Sequence, residues 1–454
     1  MKKAKQEKST VALIHRPKVS GTPAKYGKEA VDEVKAMLKE GIDYLGGMTK
    51  FVKPGDKVLL KVNSVYNTPP DSAWNVDPRL VEALVGLIRE EVPEVRRVIV
   101  ADDSAAVKQV KDVDTIDVME ANGIAPAARR AGGEVLCLEW DSHIRVNIEN
   151  ARAFPYFYAA QSMLEADVLI SVPKWKTHIE GYMTLGLKNA EGYYTRTLDE
   201  KGFTKYVSDK ERRHANDIHQ KFVDTLNVFY PDLTIIDGLW AIQGDGPAVF
   251  TDWEVIKDFN TIVISDDIVA ADSVACQASG FPWDYMVTTR LATRQGFGNG
   301  KPENQVIKGA DLKKVKRQFV PPKMFELQGC YDNVDVYTHG ACVTGCQPLL
   351  RLTLNMPQAD GSLAKLKEPI NFIIGNNTYI PPRLKPERTC LLGDCVWNEW
   401  VGLPAEGSLT PAELRDRGAL VVGGCPSFAN VFTFVLPWIY DIAEKDAKEA
   451  EEGQ

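Results

Sequence analysis

Basic side chains are in short supply: 54 lysines and arginines stand against 62 aspartates and glutamates, a formal net charge of −8. That balance excludes a general nucleic-acid binder, which carries a basic domain or stripe. Cysteine is scarce too. Eight in 454 residues are too few for a disulfide scaffold, and a chain of this length buries a core without one. No hydrophobic run is clean enough to span a bilayer. The longest, Gly418 to Tyr440, is interrupted by Gly423, Gly424, Pro426, Asn430 and Pro437, and reads as a strand, a turn and a packed helix. The charged N-terminus leads into Ser9 to Ile14 and then Arg16, too short for a signal-peptide core. A nucleophile elbow, a phosphate-binding P-loop and a His-Glu-x-x-His helix are all missing. Gly296-Phe297-Gly298-Asn299-Gly300 follows a helical pattern rather than a strand, so it is no dinucleotide fingerprint. These absences leave a cytoplasmic protein with neither nucleic acid nor membrane as partner. The 44% apolar and 26% charged content is that of an ordinary globular chain.

What is present alternates. Val58 to Val62, Arg97 to Ala101, Glu134 to Leu138, Asp167 to Val172, Leu233 to Asp237 and Thr261 to Ser265 are β-branched runs. Helical spacing separates them, as from Pro78 to Glu91 and from Val118 to Ala131. Strand, helix and strand in succession predict an α/β fold: a mostly parallel, doubly wound, Rossmann-like sheet covered on both faces. Polar residues cluster where these strands end, at Asn63, Asp102, Lys174 and Asp237. Open α/β sheets bind ligands beyond the carboxyl ends of their strands, so one shared crevice is expected. Residues 1–300 form this main domain. Residues 301–454 form a smaller α/β domain with strands Glu368 to Ile374, Thr389 to Leu392 and Ala419 to Val422, each ending in a glycine-containing turn. The tail from Asp441 is read as a charged helix end that frays.

Six of the eight cysteines fall between Cys330 and Cys425. Cys342 and Cys346 make a close pair, while Cys395 and Cys425 each follow a strand in a glycine turn. Reduced thiols gathered on converging loops point to metal or redox work. A single close pair with scattered partners suits an iron–sulfur cluster, of four irons and four sulfides, better than structural zinc. Cys390 offers an alternative to one of the four.

The second constellation is Pro173-Lys174-Trp175-Lys176-Thr177-His178 with Gly186-Leu187-Lys188-Asn189. Three lysines and a histidine in fifteen residues predict a fixed cationic loop for a carboxylate or phosphate. His178, Lys176, Lys188 and Asp237 are the candidate catalytic groups. Asn63, Lys174, Asn189, His219 and Asp245 are the candidates to hold the substrate. Read as solvated side chains, the lysines predict that Lys176→Ala and Lys188→Ala abolish activity and leave the fold intact. His219 opens a helix behind an Asn216 cap, where it or Asp217 could meet His178 across the crevice.

Lys61-Val62-Asn63, Pro173-Lys174-x-Lys176-Thr177-His178, Gly186-Leu187-Lys188-Asn189 and Ile236-Asp237-Gly238 with Gly244-Asp245-Gly246-Pro247 resemble the family known as domain of unknown function three-six-two. The resemblance spans roughly Val58 to Phe281. It implies an α/β domain common in anaerobic bacteria and archaea, some members of which carry iron–sulfur modules. The C-terminal cysteines look like the set of the longer members, though the pair has three residues between its thiols rather than two.

Three functions compete. The first is an iron–sulfur enzyme, an oxidoreductase or a cluster-dependent lyase or isomerase, acting on a small anionic substrate with a ferredoxin-like electron partner. The second is a metal-dependent isomerase or hydrolase without iron. The third is a non-catalytic electron-transfer or cofactor-assembly protein.

Overall fold

The computed structural model describes residues 7–104, 113–153, 155–179, 181–194, 197–198, 204–205, 218–246, 252–322, 327, 330–331, 333–338, 346–375, 380–397, 409–424, 426 and 430–452. Two compact units divide the chain. The first is Met1–Val207 with His219–Pro247 and Trp253–Pro321; the second is Ser208–Ile218 with Ala248–Asp252 and Pro322–Gln454. The first unit therefore runs past the expected boundary at 300. The strand Gln305–Gly309, within a stretch expected to open the second domain, pairs in parallel with Ser9–His15 at the sheet edge.

The sheet of the first unit runs in the order Gln305–Gly309, Ser9–His15, Thr261–Ser265, Leu233–Gly244, Val168–Val172, Lys57–Val62, Arg97–Asp102, Glu134–Cys137. Thr261–Ser265 is antiparallel to both its neighbours; the other pairings along the order are parallel. Side-chain alternation assigns the two faces. Val58, Leu60, Val62, Val98, Val100, Ile170 and Ile235 join one core with Met37, Leu38, Leu80 and Leu84 of the helices Lys28–Asp43 and Pro78–Glu91. The opposite face, with Lys61 and Ser171, lies under the short helix Gly186–Asn189, which packs beside the helix Ile268–Ala278. The sheet is thus covered on both sides.

Val168–Val172 does not end in a loop. Past Pro173 the chain resumes as the strand Lys174–His178, parallel to Leu233–Gly244 and antiparallel to Tyr182–Thr184. The expected basic loop is a strand because its alternate residues, Trp175 and Thr177, have buried places on one face. Trp175 meets the Phe259 ring edge-on at 4.9 Å and donates its indole N–H to Ser279 Oγ at 2.8 Å.

In the second unit four parallel strands lie in chain order: Val334–Thr338, Ile370–Ile374, Thr389–Leu392 and Leu420–Val422. The first of these was not read from the sequence. The helix Cys346–Ala359 and the C-terminal helix Leu436–Glu452 cover one face, while Val396 and Leu414 pack on the other. The tail does not fray: its helix reaches Glu452. Buried Asp446 accepts both Arg388 guanidinium nitrogens, at 2.9 and 3.1 Å, and the Lys367 N–H at 2.8 Å. Among the described residues no helix is long and apolar enough to cross a membrane.

Candidate functional site

Strand alternation sends Lys174, Lys176 and His178 to one side of their strand, toward the carboxyl ends of the neighbouring strands. None of the three lysines in this region is solvated. Lys174 and Lys176 are each 1% exposed and Lys188 9%. A buried ammonium needs a partner, and the structure supplies different ones.

Lys174 pairs with Asp237 at 2.8 Å, both side chains fully buried. The same Asp237 oxygen accepts the Asp77 N–H at 2.7 Å, and its other oxygen accepts the Leu239 N–H at 3.0 Å. Asp77 in turn holds Arg79 through both carboxylate oxygens, at 2.7 and 3.0 Å. Burial opposes the Asp77 charge, but the Arg79 guanidinium outweighs it and holds the carboxyl below its usual range. Lys61, missed among the candidates, pairs with Asp102 at 2.8 Å and donates to Asn189 Oδ1 at 3.1 Å. Asn189 Nδ2 donates to Lys61 O and Ser171 Oγ, both at 3.0 Å. Asn189 therefore ties the short helix to two strands of the sheet, and Lys174 and Asp237 are a framework pair. Each was expected to meet substrate or do chemistry; each already has its polar atoms engaged by protein.

Lys176 is different. Its Nζ donates to Asn63 Oδ1 at 2.8 Å and to the Trp74 carbonyl at 2.7 Å, both neutral groups. Among the described residues no carboxylate lies within ion-pair distance of it. Burial pushes its pKa far down, and the positive charges of Lys188 and Lys174 push the same way. The surroundings therefore shift Lys176 toward the neutral amine, while the negative charges of Asp102 and Glu191 act the other way. Trp74 belongs to the segment 63–77, which folds over this lysine. Asn75 Oδ1 accepts the Val65 N–H at 2.6 Å, and the Trp74 ring stands edge-on between Tyr66 and Trp253, at 5.2 and 5.4 Å.

Lys188 pairs with Glu191 at 2.9 Å and lies 5.7 Å from the centre of the Phe222 ring. His178 Nδ1 accepts the Gly181 N–H at 3.1 Å, which assigns the ring proton of a neutral imidazole to Nε2. Ile242 pairs with Lys176 in register, so buried Asp245, three residues further, runs out alongside His178. His219 lies in the first turn of the helix Ile218–Thr225. Asn216, Asp217 and His214 lie outside the described residues.

In the second unit each of the three expected strands ends in a glycine with left-handed backbone: Gly375 at φ +87°, Gly393 at +96° and Gly424 at +82°. Two of these turns clasp each other, with Asp394 N–H on Gly424 O at 3.1 Å and Gly424 N–H on Asp394 Oδ1 at 2.6 Å. Cys346 opens its helix directly beneath: a Cβ on Gly393 would stand 3.0 Å from its Sγ. Cys395 is exposed in the adjoining turn. Cys342 and Cys425 lie outside the described residues. Among the described residues no three His, Cys, Asp or Glu gather as a metal site. Cys390 is fully buried within the core, where burial raises its thiol pKa.

Residues 58–277 match the sequence model of a family described as domain of unknown function, DUF362. The matched stretch holds Lys61, Lys174, Lys176 and Lys188 and none of the clustered cysteines. A thylakoid-associated protein of Synechocystis is 29% identical over 239 residues, covering 53% of this chain and 68% of that relative. Among solved structures, the lactate racemase apoprotein of Thermoanaerobacterium thermosaccharolyticum is similar with a TM-score of 0.34 and 10% identity. The match covers 60% of this chain and 57% of that one. A Thermotoga maritima protein gives a TM-score of 0.32 and 12% identity, covering 61% of each chain. Both structural matches span less than two thirds of the neighbour's length.

Proposed function

We propose that this chain is a cytoplasmic iron–sulfur protein whose DUF362-matching stretch binds a small anionic substrate and moves a proton through Lys176. The observation that carries the reading is a buried lysine whose acceptors are both neutral. A neutral amine has two N–H groups and one lone pair. Here both N–H groups are committed, to Asn63 Oδ1 and Trp74 O, and the lone pair is left to accept a proton. The ammonium so formed keeps both hydrogen bonds and gains a third N–H for the substrate. Imine chemistry at the same nitrogen is disfavoured. It removes both hydrogens and strands two buried acceptors, at about 1–3 kcal/mol each.

The charge balance explains the substrate class. Lys61, Lys174 and Lys188 are matched by Asp102, Asp237 and Glu191. A proton on Lys176 therefore adds a positive charge without a carboxylate beside it, and an anion supplies the missing partner. His178, two residues along the same strand face, is the second proton-transfer group in this reading.

Cys342, Cys346, Cys395 and Cys425 are the residues to hold the cluster. Supporting them is the close approach of Gly393 to Cys346, where a Cβ would stand 3.0 Å from Sγ: the bare glycine lets the turn come down on the thiol at the ends of parallel strands. Such a cluster supplies electrons or a Lewis acid when bound, and a ferredoxin-like protein is the electron partner it calls for.

The test is calorimetric titration with sulfate, which does not itself titrate near neutrality, in buffers of different ionisation heat. The reading expects close to one proton taken up per anion in the wild type and none in Lys176→Met. Equal uptake in the two proteins overturns it. Iron and sulfide quantitation after anaerobic purification tests the cluster separately.

A further inference from the structure

The helix that carries Lys188 and Asn189 has four residues, Gly186–Asn189, too few to be stable by its own hydrogen bonds. Its first two N–H groups are held by a single carboxylate. Asp272, fully buried on the helix Ile268–Ala278, accepts the Gly186 N–H at 2.6 Å and the Leu187 N–H at 2.9 Å, one on each oxygen. Among the described residues Asp272 has no ion pair. A Cβ on Gly186 would stand 2.8 Å from Asp272 Oδ1 and 2.8 Å from Ile268 Cγ1, so only glycine permits this approach. That accounts for the glycine that opens Gly-Leu-Lys-Asn and for a fully buried acidic residue in the middle of the helix Ile268–Ala278.

We propose that Asp272 is a positioning residue: its ionised carboxylate latches Gly186–Asn189 and thereby sets Lys188 and Asn189 in the site. The inference rests on the proposed lysine site for its functional meaning, but the latch itself is independent of it. A carboxylate accepts two N–H groups on two oxygens. A protonated carboxyl gives up one of those acceptors to its own O–H, so protonation opens half the latch. Burial raises the Asp272 pKa to about 7, against the lowering effect of the two N–H groups. The other ionisable groups that face it are Asp267 and Cys276 on its own helix and Tyr193 beyond the short helix. The negative charge of Asp267 adds to the rise.

The experiment is amide hydrogen exchange of Gly186 to Asn189 between pH 5.5 and 8.5 (roughly 1.5 units either side of neutrality), corrected for intrinsic rates, in wild type and Asp272→Asn. An asparagine offers one acceptor at every pH. Wild-type protection should fall severalfold on the acid side of neutrality, while Asp272→Asn should show the weaker protection throughout, with no step. No step in the wild type, or the same step in Asp272→Asn, overturns the latch. A global unfolding measurement on both proteins guards against a variant that fails to fold, and a Ser273→Ala control should keep the wild-type step. Sulfate titration of the same samples separates the two readings: a latch that steps while sulfate fails to bind removes the lysine site and leaves Asp272's role in place.

Discussion

The carboxyl ends of the two parallel sheets are built in opposite ways. In the first unit the strand ends are crowded with charge, and nearly every charge is matched within the protein. Lys61 meets Asp102, Lys174 meets Asp237, and Arg79 meets Asp77. In the second unit the described strand ends present main chain: three glycines with left-handed backbone, a pair of clasped turns and two thiols. The first arrangement fixes side chains before any ligand arrives, which is what proton transfer needs. In the second, the N–H groups of Gly393, Asp394 and Gly424 bond within the turns themselves, and the thiols of Cys346 and Cys395 lie beside them. The contrast also picks out Lys176, which lies among matched charges and is not matched.

Substitutions break this contrast in a definite order. The largest effect belongs to Asp237→Asn. It leaves Lys174 fully buried without its counter-charge, and loss of one partner of a buried pair costs about 3–5 kcal/mol. Urea unfolding measures this, and a loss below about 1 kcal/mol would mean the pair is hydrated. Gly393→Ala comes next, in the other unit. A side chain at φ +96°, 3.0 Å from Cys346 Sγ, strains the turn by about 1–3 kcal/mol. If Gly393→Ala proves neutral in thermal unfolding, the turn is not the tight cradle described.

Lys176→Met follows. Methionine keeps the apolar stem but strands Asn63 Oδ1 and Trp74 O, a cost of about 1–3 kcal/mol partly offset by removing a buried amine. Its pH signature is more telling than its size. The folded-state pKa is depressed, so between that value and the ordinary lysine value the unfolded chain binds a proton that the folded chain does not. Wild-type stability therefore rises with pH through that window, and Lys176→Met should lose this slope. The smallest effect is Lys188→Ala, whose partner is Glu191 three residues away at the edge of the site. The pair is mostly buried, its side chains 10% and 17% exposed, so stability should fall by about 1 kcal/mol, while sulfate binding weakens by about tenfold. Unchanged binding would place Lys188 outside the anion site.

Much of this was legible in the sequence. Apolar runs with helical segments between them announced the α/β sheet, and lysines after Val168–Val172 announced a charged site. What sequence could not supply was pairing. Lys174 and Lys176 have the same residue type and share a strand face, yet one meets Asp237 and the other two carbonyl oxygens, because their partners lie more than sixty residues away in the chain. Lys61 and Asp272 did leave a signal, a charge inside an apolar strand and an acid in the middle of a mostly apolar helix. Each has to be buried and so has to have a partner. The strand Lys174–His178 was hidden because its buried residues are a tryptophan and a threonine among cations. Cys390 looked like Cys395 in spacing, and only the strand register separated a core thiol from a turn thiol.

The central claim is that Lys176 is held as a neutral amine by its surroundings. Nitrogen-detected NMR titration of lysine Nζ, with Lys176→Met to assign the resonance, reads this directly. The account predicts one lysine that titrates far below the ordinary value near 10.4 and disappears from the spectrum of the variant. If every lysine, Lys176 included, titrates in the ordinary range, the neutral amine is contradicted and the proton-transfer role goes with it.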